Sequence, residues 1–168
     1  MENNEPVLLE NLPFEIPDSW CWTRLGEIIN IKSGQNITSL QMAKTAAIYP
    51  VYGGNGITGY YDKWNVKSNT IIIGRVGFYC GSIHVTYSNA WVTDNALIVE
   101  YDTNNLYLQF LSKILCEKEL GKKSSSTAQP LVTGKIIKPL IVAVPPLNEQ
   151  KRIVIKLDKI LDKLKDEV

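Results

Sequence analysis

Histidine, cysteine and methionine are nearly absent from this chain: its 168 residues hold one histidine, three cysteines and two methionines. Each shortage excludes a chemistry. Cys21, Cys80 and Cys116 are odd in number and far apart, and no C-x-x-C occurs. With His84 the sole imidazole, neither a structural zinc site nor a disulfide framework is expected. A serine or cysteine nucleophile would have only His84 as its base, and no G-x-S-x-G elbow is present. There is no Gly-Lys-Ser/Thr phosphate loop. No apolar run reaches the roughly 18 residues of a membrane span. The start, MENNEPVLLENLPFEIPD, is acidic and lacks the basic-then-apolar order of a secretory signal, so a cytoplasmic address is expected. Asp18 and Glu149-Gln150-Lys151 mimic two halves of a nuclease motif, but they lie at opposite ends of the chain. Asp94-Asn95 in TDNA could serve a metal or acid role, but a turn leading into ALIVEY explains it more cheaply. The expectation is a non-catalytic protein with no cofactor and no metal site.

What is present is a 45% hydrophobic chain of net charge +1, enough for one domain with an appendage. The charge is unevenly spread. Residues 1–30 carry six acids and one base, and residues 31–90 five bases and one acid. Residues 91–110 carry three acids and no base, and residues 111–138 six bases and two acids. Folding could gather the two basic segments into one face suited to phosphates, although a mixed solvated surface explains the same numbers.

The stretch YPVYGGNGITGYYD contains GNGITG, which fits the dinucleotide fingerprint G-x-G-x-x-G. The fingerprint needs a strand before it, a helix opening at the glycines and an acid about 20 residues on. Pro50 weakens the upstream run as a central strand, YYDKWNVKSN has no helical period, and FYCGSIH has no carboxylate. A glycine-rich β turn with exposed tyrosines is expected instead.

Along the rest of the chain, Thr23 can cap a short helix over RLGEII, with Trp20 and Trp22 as core anchors. TIIIG predicts a buried strand, punctuated afterwards by Gly74, Gly77 and Gly81. ALIVEY and LIVAV predict two more strands. Asn104 or Asn105 can cap LYLQFLSKILCEKEL, which Gly121 ends. KKSSSTAQPLVTG reads as a basic, serine-rich loop. After Pro145-Pro146, Asn148 is a suitable cap for a last helix. There Val154, Leu157, Leu161, Leu164 and Val168 step 3-4-3-4, widened by Ile153 and Ile160. Such a seam packs on its own domain or pairs with another helix. The proline hinge and the change of pattern favour a projecting, pairing helix.

The series PxSWxWxxLGEI, SGQ, YPVYGGNGITGYYD, NTIIIGRVGFYCGSI, WVTDNAL, STAQPLVT and LIVAVPPLNEQKRI resembles a target recognition domain of a type I restriction–modification specificity subunit. PPLNEQ before an amphipathic helix is the most specific part. The resemblance implies an α+β fold: a twisted, partly barrel-like recognition sheet with short flanking helices over residues 1–146, then a coiled-coil-type helix over residues 147–168. Members usually carry two such domains and two helices that pair antiparallel, so this chain resembles half a subunit. It implies non-catalytic recognition of double-stranded DNA through loops in the major groove. Its partners would be modification (methyltransferase) subunits, through them restriction subunits, or a second copy.

Base and phosphate contacts are expected from polar, basic loops. Asn55, Tyr60, Tyr61 and Lys63 come from the glycine loop, and Lys122, Lys123, Ser124, Ser125, Ser126 and Gln129 from the serine-rich loop. Arg75 joins them unless it pairs with Asp94. Ile153, Leu157, Ile160, Leu161 and Leu164 are expected at the partner helix. The rival functions are a carbohydrate- or ligand-binding module, since exposed aromatics also suit sugars, and a pure assembly protein.

Overall fold

Ile71, Ile72 and Ile73 are each fully buried because their strand is covered on both faces. Full burial of one such side chain is worth about 1.5–3 kcal/mol. In the computed structural model, which describes residues 12–43, 47–124 and 130–166, this strand sits inside a three-layer arrangement. The strands are β1 (Cys21–Arg24), β2 (Ile29–Ser33), β3 (Tyr49–Gly53), β4 (Gly56–Tyr61), β5 (Ile71–Gly74), β6 (Ile83–Val85), β7 (Trp91–Val92), β8 (Ala96–Tyr101) and β9 (Ile141–Val144). The helices are α1 (Leu25–Ile28), α2 (Ser39–Ala43), α3 (Leu108–Glu117), α4 (Gly134–Ile137) and α5 (Leu147–Asp166), with a 3-10 turn at Leu120–Lys123.

The middle layer is an antiparallel sheet ordered β2-β8-β5-β6. Ile71 and Ile73 point from it into the main core, where Leu97, Val99, Leu111, Leu115, Leu120 and Ile137 join them. Ile72 points the other way, to Tyr52, Val66, Ala90, Val92 and Ala96. That second face is covered by a three-stranded sheet, β4-β3-β7. This double coverage is why TIIIG has no polar alternation. The fold is α+β, with stacked sheets rather than a closed barrel among the described residues. A third ribbon pairs β1 with β9 in register from Cys21↔Val144 to Arg24↔Ile141. It brings the start of the described domain beside the strand that leads into α5.

Several local expectations are corrected. Pro50 does lie in a central strand, but β7 pairs only with Val51 and Tyr52, so Pro50 disrupts no bond on that side. Thr23 belongs to β1, and α1 has no side-chain cap. Trp20 and Trp22 are half-buried rather than core residues. Trp22 meets Phe14 edge-on at 4.9 Å. Neither Asn104 nor Asn105 caps α3, because both are held by the Asp102 carboxylate. Asn148 lies inside α5, whose first backbone hydrogen bonds go to the Pro146 carbonyl. Pro145 is buried, so the double proline is a fixed corner and not a swivel.

The corner is fixed by Gln150, the residue of α5 with no exposed surface. Its amide nitrogen donates to the carbonyls of Asn105 and Pro145, both at 2.9 Å. Its Oε1 accepts from the Tyr107 N–H at 2.8 Å, satisfying a free donor at the start of α3. Val154 is buried one turn later, and Lys113 on α3 meets Asp158 at 2.6 Å. The opening turns of α5 therefore pack on the domain. From Ile155 to Lys165 every side chain of the helix is exposed.

Candidate nucleic-acid interface

One end of the middle sheet collects the loops that carry polar and cationic side chains. Strand register dictates this. Ser33 pairs with Leu97, Gly74 with Ala96 and Ile73 with Ile83, so β2 and β5 finish where β8 and β6 begin. The segments beyond them, 34–38, 75–82 and 93–95, emerge together. The Gly54-Asn55 turn of the β3–β4 hairpin docks against Val76 and Asn95. Gly121 abuts Cys80 and Gly81. The Gly77 N–H donates to Pro130 and the Val132 N–H to Arg75.

Glycines permit this convergence by lacking a Cβ. A Cβ on Gly74 would fall on the Gly54 carbonyl oxygen. One on Gly81, whose φ is +84°, would fall on the backbone of Gly121. The glycines thus let backbones touch, and no helix opens at GNGITG to receive a pyrophosphate.

The expected site residues divide. Asn55, Arg75, Lys122, Lys123 and Ser124 are brought to this end. Asn55 is exposed at the hairpin turn. Arg75 Nη1 donates to Ser33 Oγ and to the Asp94 carbonyl, both at 3.3 Å, so it bonds the backbone of Asp94 and not its carboxylate. Lys122 is exposed and pairs with Glu119 at 2.6 Å. Lys123 is exposed. Ser124 donates to the Gly121 carbonyl at 2.7 Å, so its hydroxyl closes its own turn. Ser125, Ser126 and Gln129 lie outside the described residues. Tyr60, Tyr61 and Lys63 lie elsewhere, because Tyr60 and Tyr61 close β4, roughly 15 Å along the strand from Asn55, and Lys63 follows it. Tyr60 and Lys63 are exposed there. Tyr61 is 9% exposed and packs edge-on against Trp91 at 5.2 Å, so it is corrected from a surface residue to a packing one.

Sequence reasoning missed Phe78 and Tyr79, which stand at the corners of a turn at this end. It also missed Ser33, Gln35 and Asn95, which share the end. Strand pairing, invisible in a single sequence, was the missing signal.

A groove of about 540 Å³ beside the hairpin is lined by Tyr52, Asn55, His84, Tyr87 and Cys116. Burial pushes the His84 pKa down and the Cys116 thiol up. Burial, with Tyr87 and Tyr60 nearby, pushes Tyr52 up. These shifts favour a neutral imidazole and an inert thiol, the reverse of an activated pair. Among the described residues no three His, Cys, Asp or Glu side chains gather as a metal site, and no helix is long and apolar enough to cross a membrane.

Known proteins share this architecture. A specificity subunit of the M. genitalium type I restriction-modification system superposes with a TM-score of 0.74 at 19% identity, over 91% of this chain and 42% of that one. The HsdS subunit from Thermoanaerobacter tengcongensis gives 0.71 at 23% identity, over 94% and 41%. The EcoprrI type I restriction enzyme specificity subunit of Escherichia coli is 31% identical over 139 residues, 80% of this chain and 34% of that protein. A putative type I specificity subunit of Mycoplasma genitalium is 27% identical over 151 residues, 86% and 39%. The chain thus spans little more than a third of the length of these curated relatives. The family model described as the type I restriction modification DNA specificity domain matches residues 17–168, and the chain belongs to that family.

Proposed function

We propose that the chain recognises a short DNA sequence, one half-site, on behalf of partner methyltransferase and nuclease subunits, and itself performs no reaction. The observation that carries this reading is the convergence of Ser33, Asn55, Arg75, Asn95, Lys122 and Lys123 at one end of the middle sheet. Amide and guanidinium groups of this kind pair with base edges, while the lysines suit phosphates. Residues 1–146 act as the recognition unit and 147–168 as the helix that joins it to a partner. On that helix Leu157, Ile160, Leu161 and Leu164 are exposed at a seam spacing, and Ile153 is half-buried at its root. An exposed apolar stripe of this type is stabilised by a second helix, from a modification subunit or a second copy.

The test is selection from a randomised duplex library, with and without a co-expressed modification subunit, at two salt concentrations. A short enriched motif is expected, inverted and repeated where two copies bind. Affinity should fall steeply with salt, and Lys123→Ala should reduce the magnitude of the log–log salt slope by about 0.9 if it meets one phosphate. Absence of any enriched sequence with the partner present would refute the reading. Salt-insensitive binding would point to a sugar or other neutral ligand.

A further inference from the structure

We propose that Phe78 is an apolar wedge that enters a base step of the bound duplex; the inference rests on the DNA-recognition reading above and deepens it. Phe78 and Tyr79 occupy the two corners of the turn Gly77-Phe78-Tyr79-Cys80, closed by the Cys80 N–H to the Gly77 carbonyl at 3.0 Å. Turn corners ordinarily hold Gly, Pro, Asn, Asp or Ser, for reasons of backbone conformation and local hydrogen bonding. Phe and Tyr are not among these residues. Neither is buried in the core: Phe78 is 89% and Tyr79 53% exposed, and the two rings meet edge-on at 5.1 Å.

The turn is held firmly from behind. Gly77 takes a φ of +87°, and its N–H is bound by Pro130. Gly81 donates to Gly74 at 2.7 Å, Arg75 to Asn95 at 3.0 Å, and the Cys80 side chain is buried beneath the tip. The ring is therefore presented on a braced mount. The loops that share this end of the sheet carry Arg75, Lys122 and Lys123 against Asp94 and Glu119, the last paired with Lys122 at 2.6 Å, so the balance of charge around the turn is cationic and suits phosphates better than an apolar protein face. A side chain that brushes a thymine methyl needs one exposed edge. A ring open on nearly all sides can slide between two bases, as apolar wedges in DNA-bending proteins do.

The experiment uses the full chain with its modification subunit and the duplex obtained by selection, with 2-aminopurine at each position in turn. Binding should brighten the probe several-fold at one base step. Under saturating protein, Phe78→Ala should abolish that signal and Phe78→Trp should keep it. Phe78→Ala should weaken binding about 10- to 100-fold, the effect of one lost aromatic–base stack, with the salt slope unchanged because no phosphate contact is removed. A base extruded for methyl transfer also brightens, but independently of Phe78, so the signal lost in Phe78→Ala identifies the wedge. Phe78 packs on so little that its variants should melt with the wild type. A signal that survives Phe78→Ala, or affinity within twofold of wild type, overturns the wedge and leaves DNA recognition standing. Loss of co-elution with the modification subunit at unchanged DNA affinity assigns the aromatic pair to a protein contact and also overturns it. If the wild-type complex selects no sequence at all, the DNA reading fails and the wedge fails with it.

Discussion

Replacing Gln150 tests the reasoning about how α5 is attached, and its cost follows from three hydrogen bonds. Gln150→Leu keeps the volume and removes the amide. It strands the Tyr107 N–H and the carbonyls of Asn105 and Pro145, which Gln150 now engages at 2.8, 2.9 and 2.9 Å. A buried group left without a partner costs about 1–3 kcal/mol. The Tyr107 and Asn105 contacts are only partly buried, so water recovers some of the loss there. The Pro145 contact is buried. A net cost of about 2–4 kcal/mol results, or a drop in Tm of roughly 4–16 °C for a domain of this size. Circular dichroism melts measure it. Hydrogen exchange should localise the loosening to the start of α3 and the first turns of α5.

Gln150→Glu sharpens the test, because it retains an acceptor for Tyr107 but turns a carboxylate toward two carbonyl oxygens. Burial and those carbonyls raise the introduced carboxyl's folded pKa above the ordinary value of about 4.3. The folded state then binds the proton more tightly than the unfolded state. The variant's stability relative to wild type is accordingly best below about pH 4 and is lost as pH rises through the raised folded pKa. At pH 7 it should be at least as damaging as Gln150→Leu. A cost below about 0.5 kcal/mol for Gln150→Leu, the range of ordinary surface substitutions, would refute the clasp.

Gly81→Ala should destabilise by roughly 2–5 kcal/mol in urea titrations, since its Cβ meets the Gly121 backbone at a φ of +84°. Gly134→Ala, with no atom within 4 Å of the new Cβ, should be neutral or stabilising by up to about 1 kcal/mol; equal costs at both sites would contradict the close-approach argument. Leu157→Asp with Leu161→Asp should leave the melting temperature within a few degrees, because both side chains are exposed, yet abolish co-elution with the modification subunit or a second copy. His84 is held neutral by burial, its folded pKa lying below the ordinary value of about 6.5. Protonation therefore favours the unfolded chain, and stability falls as pH drops below about 6.5 until the folded pKa is passed. A flat difference between wild type and His84→Gln from pH 8 to pH 5 would remove that account.

Elements whose signal is local were legible in the sequence. TIIIG marked a buried strand, ALIVEY and LIVAV marked β8 and β9, and the 3-4 stepping of Leu157, Leu161 and Leu164 marked a stripe that is exposed on the helix. Caps were misjudged because the local rule has a tertiary competitor. Asn104 and Asn105 are good capping residues, but Asp102 accepts from both side chains. The donor at the head of α3 is then met by Gln150, 43 residues further on. PPLNEQ stands out in the sequence, and the structure gives it a physical reason. Pro145 supplies a buried carbonyl, Pro146 accepts the first bonds of α5, and Gln150 joins both to α3.

The candidate site was half legible, and the division has a cause. Sequence proximity placed Asn55 and Tyr60 in one loop, yet strand geometry sends them to different ends of a hairpin. Sequence distance separated Arg75, Asn95 and Lys122, yet antiparallel register and Cβ-free contacts bring their segments together. The spacing in GNGITG was informative about glycine and misleading about nucleotides for the same reason. What a pyrophosphate demands of a backbone is close approach without side chains, and so does another backbone. Gly54 against Val76 and Gly74 against Gly54 spend that freedom inside the protein. This leaves the side chains of the converging loops, rather than their amides, to face whatever binds.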